Sequence, residues 1–354
     1  MSRDPNREGL AVAIALLSSL AIGSVLILCA GKSPGHVWWV MARETLFVNA
    51  YNPGQILFRA TSLALTGLSV SIALDAGLFN IAAEGQVIAG VVVCAIVGTA
   101  LPAGTPAAIS IPLCIVVAML AGAAIGFVIG AMRVWRGASE VITSIMITSI
   151  VAGVALWLGN ELLFQSGTTT GASIVPSAWL PSLGLGGSSA NVSVAITVVV
   201  VISLWWFRAR TTWGQALRAV GRDPKTARSV GISVGRVQLA AMVGSGALAG
   251  LAAANFVMGH KHAFEQGLGA GAGLLGISVA ILGRSHPVGI AGAALLLSFL
   301  SVGGLATSQE VPKEISEILP GIVALAVACS IPIARRWTRA TAQPDLVAVA
   351  RAKP

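Results

Sequence analysis

The stretch Val141-Ile-Thr-Ser-Ile-Met-Ile-Thr-Ser-Ile-Val-Ala-Gly-Val-Ala-Leu-Trp-Leu-Gly-Asn-Glu-Leu-Leu163 holds one charged residue, Glu161, in 23 positions. A helix rises about 1.5 Å per residue, so roughly 20 apolar residues cross the ~30 Å hydrocarbon layer of a membrane. Leu10–Ala30 meets the same length. Only 10% of the 354 residues are charged and 56% are hydrophobic, against about 25% charged in an ordinary soluble domain. So few charges cannot cover a water-soluble globule of this size. The 41 glycines have no three-residue period, which excludes a collagen-like chain, and they suit helices that approach closely in lipid. The net charge of +9 does not point to nucleic acid, because the basic residues cluster at the ends of apolar runs. Cys29, Cys94, Cys114 and Cys329 all lie in apolar stretches without metal-ligand spacing and read as small buried residues.

Apolar runs separated by charges, Gly and Pro predict ten spans, near 10–30, 57–75, 81–100, 108–132, 140–162, 190–207, 237–258, 271–283, 288–304 and 316–333. The runs 271–283 and 316–333 are short for a straight crossing, as a broken or half helix would be. Arg3 and Arg7 precede an apolar run of 21 residues, longer than a signal-peptide core, so the first run is expected to be retained. With the N-terminus inside, 17 of the 22 Lys and Arg residues fall on inner segments and 5 on outer ones. The positive-inside rule therefore predicts cytosolic N- and C-termini. The expected fold is an all-α polytopic integral membrane helical bundle. Residues 1–9 form a cytosolic N-terminus, 10–333 the transmembrane domain with a long inner loop at 208–236, and 334–354 a basic cytosolic tail. Residues 31–56 and 164–189 are expected as outer loops, the first with Trp38, Trp39 and Tyr51 at the membrane interface. Met119–Val128 and Ala247–Val257 echo one another, as an internal repeat or by chance between two Ala/Gly-rich helices.

Within the 208–236 loop, Asp223 suits an N-cap, Pro224 the first helical position and Gly231 a C-terminal stop. They predict a two-turn helix from Pro224 to Val230, marginal by itself, which a groove in a partner would stabilise. A solvated basic loop that only fixes topology is the alternative. Asp75, Asn80, Glu84 and Gln86 interrupt two apolar runs, a pattern that fits a partly unwound segment facing a polar cavity. Glu84 sits either on a solute route or against backbone amides freed by the unwinding. Ser139 and Glu140 suit the cap and first turn of the fifth span. Thr143, Ile147 and Val151 form a stripe that faces either a pore or another helix. Gly271, Gly273 and Gly276 match G-x-G-x-x-G, but no strand precedes them, so close helix packing is the better reading. Gly31-Lys-Ser33 lacks the earlier glycine of a phosphate loop, and His260, His262 and Glu265 read as a wet outer loop rather than a metal site.

These segments resemble permease subunits of the branched-chain amino acid/ribose importer superfamily of ABC transporters, and most of all the nucleoside branch linked to basic-membrane-protein lipoproteins. The resemblance rests on Gly77-Leu-Phe-Asn-Ile-Ala-Ala-Glu-Gly-Gln86, Glu140-Val-Ile, Leu217-Arg-Ala-Val-Gly221 running to Gly231-Ile232, Gly276-Ile-Ser-Val-Ala-Ile-Leu-Gly283 with Pro287, and Val311-Pro-Lys-Glu-Ile315. These occur in family order across roughly 75–317. Ala82 stands where the family usually has Gly, Ser139 and Thr148 where Asn is common, and Asp223 where Asn is frequent.

The resemblance implies a multi-pass protein of the bacterial inner membrane that is not itself an enzyme. Its implied partners are a cytosolic ATPase that holds ATP and Mg, a second permease subunit that makes a heterodimer, a substrate-binding lipoprotein, and a small solute, typically a nucleoside. No cofactor or nucleic acid is implied for this chain. The 208–236 loop would dock on the ATPase through Arg218, Gly221, Asp223, Pro224, Lys225, Ala227 and Gly231. Asn80, Glu84, Gln86, Thr143 and Ile147 are the candidate solute-pathway residues. A permease for a sugar, riboflavin or another small polar solute is the alternative within the class. An ion-coupled secondary transporter using Asp75 and Glu84 as a relay is the alternative outside it.

Overall fold

Small residues at four-residue spacing bring two helices into backbone contact at the heart of the bundle. The computed structural model describes residues 20–25, 27–29, 31–164, 168–307 and 321–322. In it, α5 (Ala107–Arg136) buries Ala118, Gly122, Gly126 and Gly130 along one stripe. Facing it is α10 (Val234–Phe256), with Gly246 and Gly250 buried. A Cβ on Gly122 would overlap the Gly246 carbonyl, and one on Gly246 would overlap the Gly122 carbonyl. Gly126 meets the Met242 carbonyl and Gly250 the Ala118 carbonyl in the same way, so the crossing is reciprocal about Gly122 and Gly246. Lipid tails are as apolar as leucine, so such close backbone packing, rather than hydrophobic exclusion, holds helices together here. The two sequence segments that echo each other, 119–128 and 247–257, lie on these two packed helices.

Around this pair, α3 (Tyr51–Asp75) and α4 (Ala83–Ala100) precede α5, while α11 (Ala272–Leu282) and α12 (Pro287–Ala306) follow α10. Thr66 of α3 abuts Gly276 of α11, and Gly90 of α4 abuts Gly250 and Ala253 of α10. The main core lies between α4, α5 and α10, with Val87, Val91, Cys94, Cys114, Ala118, Ala253 and Met258 all buried. On the periphery, α6 (Glu140–Leu158) runs into a π turn at Gly159–Leu163 and leaves Ile142, Ile145, Met146, Ile150 and Trp157 exposed. A π turn at Val257–Lys261 likewise extends α10. Beyond the ends of these two long helices lies a small two-stranded sheet, β1 (Thr170–Ser173) antiparallel to β2 (Ala263–Glu265).

Seven described helices are long and apolar enough to cross a membrane, or eight if the bent pair α1 (Leu20–Cys29) and α2 (Pro34–Leu46) is one span. The seven coincide with the expected runs from 57–75 to 237–258 and with 288–304. The expected run at 271–283 is α11, 11 residues long and thus about half a crossing. The runs at 10–30 and 316–333 fall partly or wholly outside the described residues, as do the N-terminal nine residues, the 334–354 tail, Cys329 and Val311–Ile315. Residues 31–56, expected as a loop, are largely helical: α2 starts on Pro34 at its first turn, and α3 begins at Tyr51, six residues ahead of the expected run. The long inner loop is also helical, as α8 (Thr212–Arg222) and α9 (Pro224–Ser229) after α7 (Ser193–Arg210).

Contacts divide the chain into two units, Val48–Phe299 and the two flanking segments. Within the flanking unit, α1 and α2 meet at 112°, with Ile27 and Val37 buried and Trp38 Nε1 donating to Ser24 Oγ at 3.0 Å. Trp38 is thus tied into packing, while Trp39 remains 66% exposed.

A buried amide fixes α3, α7 and α10 together near the two-stranded sheet. Asn255 Oδ1 accepts from Asn191 Nδ2 at 2.9 Å and Ser193 Oγ at 2.6 Å, and its Nδ2 donates to Phe58 O at 3.0 Å and Ser62 Oγ at 2.8 Å. Asn255→Leu keeps the branched outline but strands these partners, each at about 1–3 kcal/mol if left unpaired. Its thermal midpoint in detergent is expected to fall by several degrees. An unchanged midpoint would show that the network carries no stability.

Candidate functional site

The break between α3 and α4 is written locally. Gly77 is left-handed at φ 73°, with Gly77 N donating to Leu74 O at 3.0 Å and Leu78 N to Ala73 O at 2.9 Å. This is the paired closure of a helix that ends on glycine. The chain then runs non-helically to Ala82 and places Asn80 inside the bundle. Asn80 Nδ2 donates to Gln86 Oε1 at 2.9 Å and to Ser245 Oγ at 2.7 Å, and Ser245 Oγ donates to Ser69 O at 2.7 Å. Asn80, Gln86, Ser69 and Ser245 are fully buried. Asn80 Oδ1 and Gln86 Nε2 have no partner among the described residues. The cluster therefore carries one spare acceptor and one spare donor. Ser69 and Ser245 went unnoticed in the sequence, where they are single hydroxyls inside apolar runs.

Glu84, in the first turn of α4, reaches the start of α11. Its carboxylate accepts from Gly271 N at 2.5 Å, Gly273 N at 2.8 Å and Leu274 N at 3.4 Å. A Cβ on Gly273 would overlap the Glu84 backbone, so the two helix starts meet at backbone contact. The amides that Glu84 meets are those at the start of α11, not amides freed within its own segment. Of the glycines that matched a nucleotide-binding pattern, Gly273 serves this close approach, Gly276 abuts Thr66 of α3, and Gly271 is left-handed at φ 83°. Thr143 Oγ1 donates back within α6 to Ser139 O at 2.6 Å, while Ile147 packs against the cluster of Ala73, Leu78, Ala82, Ile129 and Met242 on other elements. Ser139 stands at the N-cap of α6, but its side chain makes no capping bond, and Glu140 pairs with Arg133 at 3.3 Å. His260 Nδ1 lies 2.6 Å from Ser189 Oγ, His262 stacks on Trp179, and Glu265 pairs with Lys261.

At the opposite end from the two-stranded sheet, α9 forms as its caps dictate. Asp223 Oδ1 accepts from Lys225 N at 2.9 Å and Oδ2 from Thr226 Oγ1 at 2.6 Å. The Thr226 hydroxyl, then the Lys225 amide, hold the exposed Asp223 carboxyl below its ordinary range. Gly231, at φ 84°, closes the helix with Ile232 N on Ala227 O at 3.0 Å. The α8–α9 pair rests on the bundle through Leu217, Val220 and Ala227, which pack with Ile72, Ala76, Val234 and Val237. Gly221 fits against the Asp75 carbonyl, where any side chain would overlap. Pro224 and Lys225 are exposed, with Val230 at 69% and Trp213 at 52%.

Beneath this pair lies Arg208, which sequence reasoning counted only as a topology charge. It is 8% exposed. Its Nε lies 2.9 Å from Asp75 Oδ2, its Nη2 donates to Ser71 Oγ at 2.7 Å, and its Nη1 donates to Ser285 O. Arg218 Nη2 in turn donates to Arg208 O at 2.7 Å. The turn that Arg208 holds closes α11 just as Gly77 closes α3, but with Arg284 and Ser285 left-handed at φ 55° and 56°. That conformation costs residues with a Cβ about 1–2 kcal/mol each.

The family model for the permease component of branched-chain amino acid transport systems matches residues 52–328. The chain is 30% identical to the nucleoside ABC transporter permease protein NupB of Lactococcus lactis subsp. cremoris, over 91% of each chain. It is 33% identical to the guanosine ABC transporter permease protein NupP of Bacillus subtilis, over 90% of this chain and 93% of that one. It is 30% identical to the glucose ABC transporter permease protein TsgB13 of Haloferax volcanii, over 88% of this chain and 85% of that one. A broken-helix bundle with a buried polar cluster and a capped helical pair at one end is thus joined to a family match over most of its length, and the chain belongs to the family of permease components of branched-chain amino acid transport systems.

Proposed function

We propose that this chain is one transmembrane half of an ABC importer that carries nucleosides across the bacterial inner membrane by alternating access. The observation that carries the reading is the spare acceptor on Asn80 and the spare donor on Gln86 within a fully buried cluster. A nucleoside offers both donors and acceptors on its base and sugar, so an opened path past this cluster would satisfy them. The nucleoside and guanosine permeases among the relatives support the same substrate class. Both termini, and the α8–α9 pair, lie in the cytosol on this reading, supported by the 17 to 5 split of basic residues. The exposed Trp213 and Val230 then meet a partner ATPase that binds ATP and Mg. The exposed apolar face of α6 suits a second permease subunit, and a lipoprotein delivers the solute.

A sugar substrate is the second reading, favoured by the glucose permease among the relatives. An ion relay is disfavoured, because Asp75 is paired with Arg208 and Glu84 with amides. Uptake of labelled guanosine by cells carrying the whole system, in competition with nucleosides and hexoses, tests the substrate. Nucleosides are expected to block uptake at micromolar excess while glucose does not. Block by glucose alone would replace the nucleoside reading with the sugar one.

A further inference from the structure

We infer that Arg208 is the joint through which movement of α8–α9 reaches the broken helix α11, and so the buried polar cluster. This rests on the reading that α8–α9 docks on the ATPase. Four separate pieces of chain meet at this one residue, two of them on its guanidinium. Arg208 ends α7, its fork takes Asp75 and Ser71 at the end of α3, and it holds the Ser285 carbonyl in the α11–α12 turn. From α8, Arg218 holds the carbonyl of Arg208 itself. A lysine can make one of these contacts, but it lacks the planar fork that makes them together.

The turn it grips is not a relaxed one. Arg284 and Ser285 are consecutive left-handed residues at a helix end where Gly77 and Gly231 serve the equivalent closures. Strain of this kind persists only where the surroundings hold it, and it leaves the turn ready to change conformation when the grip changes. Beyond the turn, α11 is short and almost wholly apolar, and its other end is fixed to α4 by Glu84. A shift of α8 therefore acts on α11 from one end while Glu84 relays it to α4. Gln86 lies half a turn further along α4, and its partner Asn80 stands in the segment that leads into that helix. Rigid elements joined by few, strong contacts transmit a displacement in this way, whereas a soft basic loop would absorb it.

The measurement is the amount of solute moved per ATP hydrolysed by the whole complex, permease pair with ATPase and binding protein, in lipid vesicles. Arg208→Lys is expected to keep the ATPase bound and to hydrolyse ATP within about twofold of the parent, while solute moved per ATP falls about tenfold. Ser71→Ala removes one arm of the fork and is expected to lower the ratio about threefold. A purely structural role would lower uptake and hydrolysis together and leave the ratio unchanged, and that result would overturn the proposal. If Arg208→Lys does not accumulate, the Ser71→Ala ratio decides. Deleting 223–231 separates the underlying reading: ATPase that still co-purifies sinks the docking surface, while ATPase loss with a normal Arg208→Lys ratio sinks only the joint.

Discussion

Gly246→Leu is expected to abolish accumulation of folded protein in the membrane, the largest effect of any single substitution in the bundle. The side chain would have to begin inside the carbonyl of Gly122, and the reciprocal contact denies α5 any way to slide past it. Overpacking an ordinary core costs about 1–3 kcal/mol because side chains can turn aside. Here the opposing atoms are backbone, so α5 and α10 must part, and the contacts at Gly126 and Gly250 go with them. A folded membrane protein with a margin of about 5–15 kcal/mol does not survive loss of its central crossing. A smaller step isolates the cause. Gly246→Ala and Gly244→Ala gain the same helix propensity, up to about 1 kcal/mol. A Cβ at Gly244 meets nothing within 4 Å, so only the 246 variant is expected to lose thermal stability in detergent. Gly122→Ala should match it, and the double variant should cost less than the sum, since separated helices have no contact left to lose. Equal midpoints for the 244 and 246 variants would show that the crossing is looser than described.

Features whose cause is local were legible in the sequence. Asp223, Pro224 and Gly231 specify a two-turn helix by chemistry acting within eight residues, and α9 forms there with that cap and that stop. The polar residues Asp75, Asn80, Glu84 and Gln86 marked a helix break for the same reason. The amphipathic α8 was missed although its signal was present: Leu217 and Val220 lie on one face three apart, but the surrounding arginines drew the reading to a loop between spans. Partners distant in sequence were not legible. Nothing near Glu84 indicates that its acceptors are wanted by amides 187 and more residues on. Nothing near Arg208 separates a buried fork from the other basic residues that fix orientation. The glycines announced close packing, yet which seam meets which is decided only when α5 and α10 cross.

Glu84→Ala is expected to have the second largest effect, with solute uptake lost and the thermal midpoint sharply lowered. The two short contacts, to Gly271 N and Gly273 N, leave buried amides unpaired at about 1–3 kcal/mol each, and no water stands ready in a hydrocarbon surrounding. Two helix starts, those of α4 and α11, also face one another here, each carrying roughly half a positive charge. Without the carboxylate they repel at backbone contact. Glu84→Gln tells the two contributions apart. Its carbonyl oxygen can still take an amide, but its own N–H groups face donors and the charge is gone. If hydrogen bonding dominates, the glutamine variant should recover about half the lost stability and a measurable share of uptake. If the facing dipoles dominate, it should behave like the alanine variant. An alanine variant with parental uptake and midpoint would mean that α11 keeps its place without Glu84. The broken helix would then be held by its other contacts, the Arg208 grip on the turn at its far end and the Thr66–Gly276 contact, where Thr66 Oγ1 donates to Ala272 O at 3.0 Å.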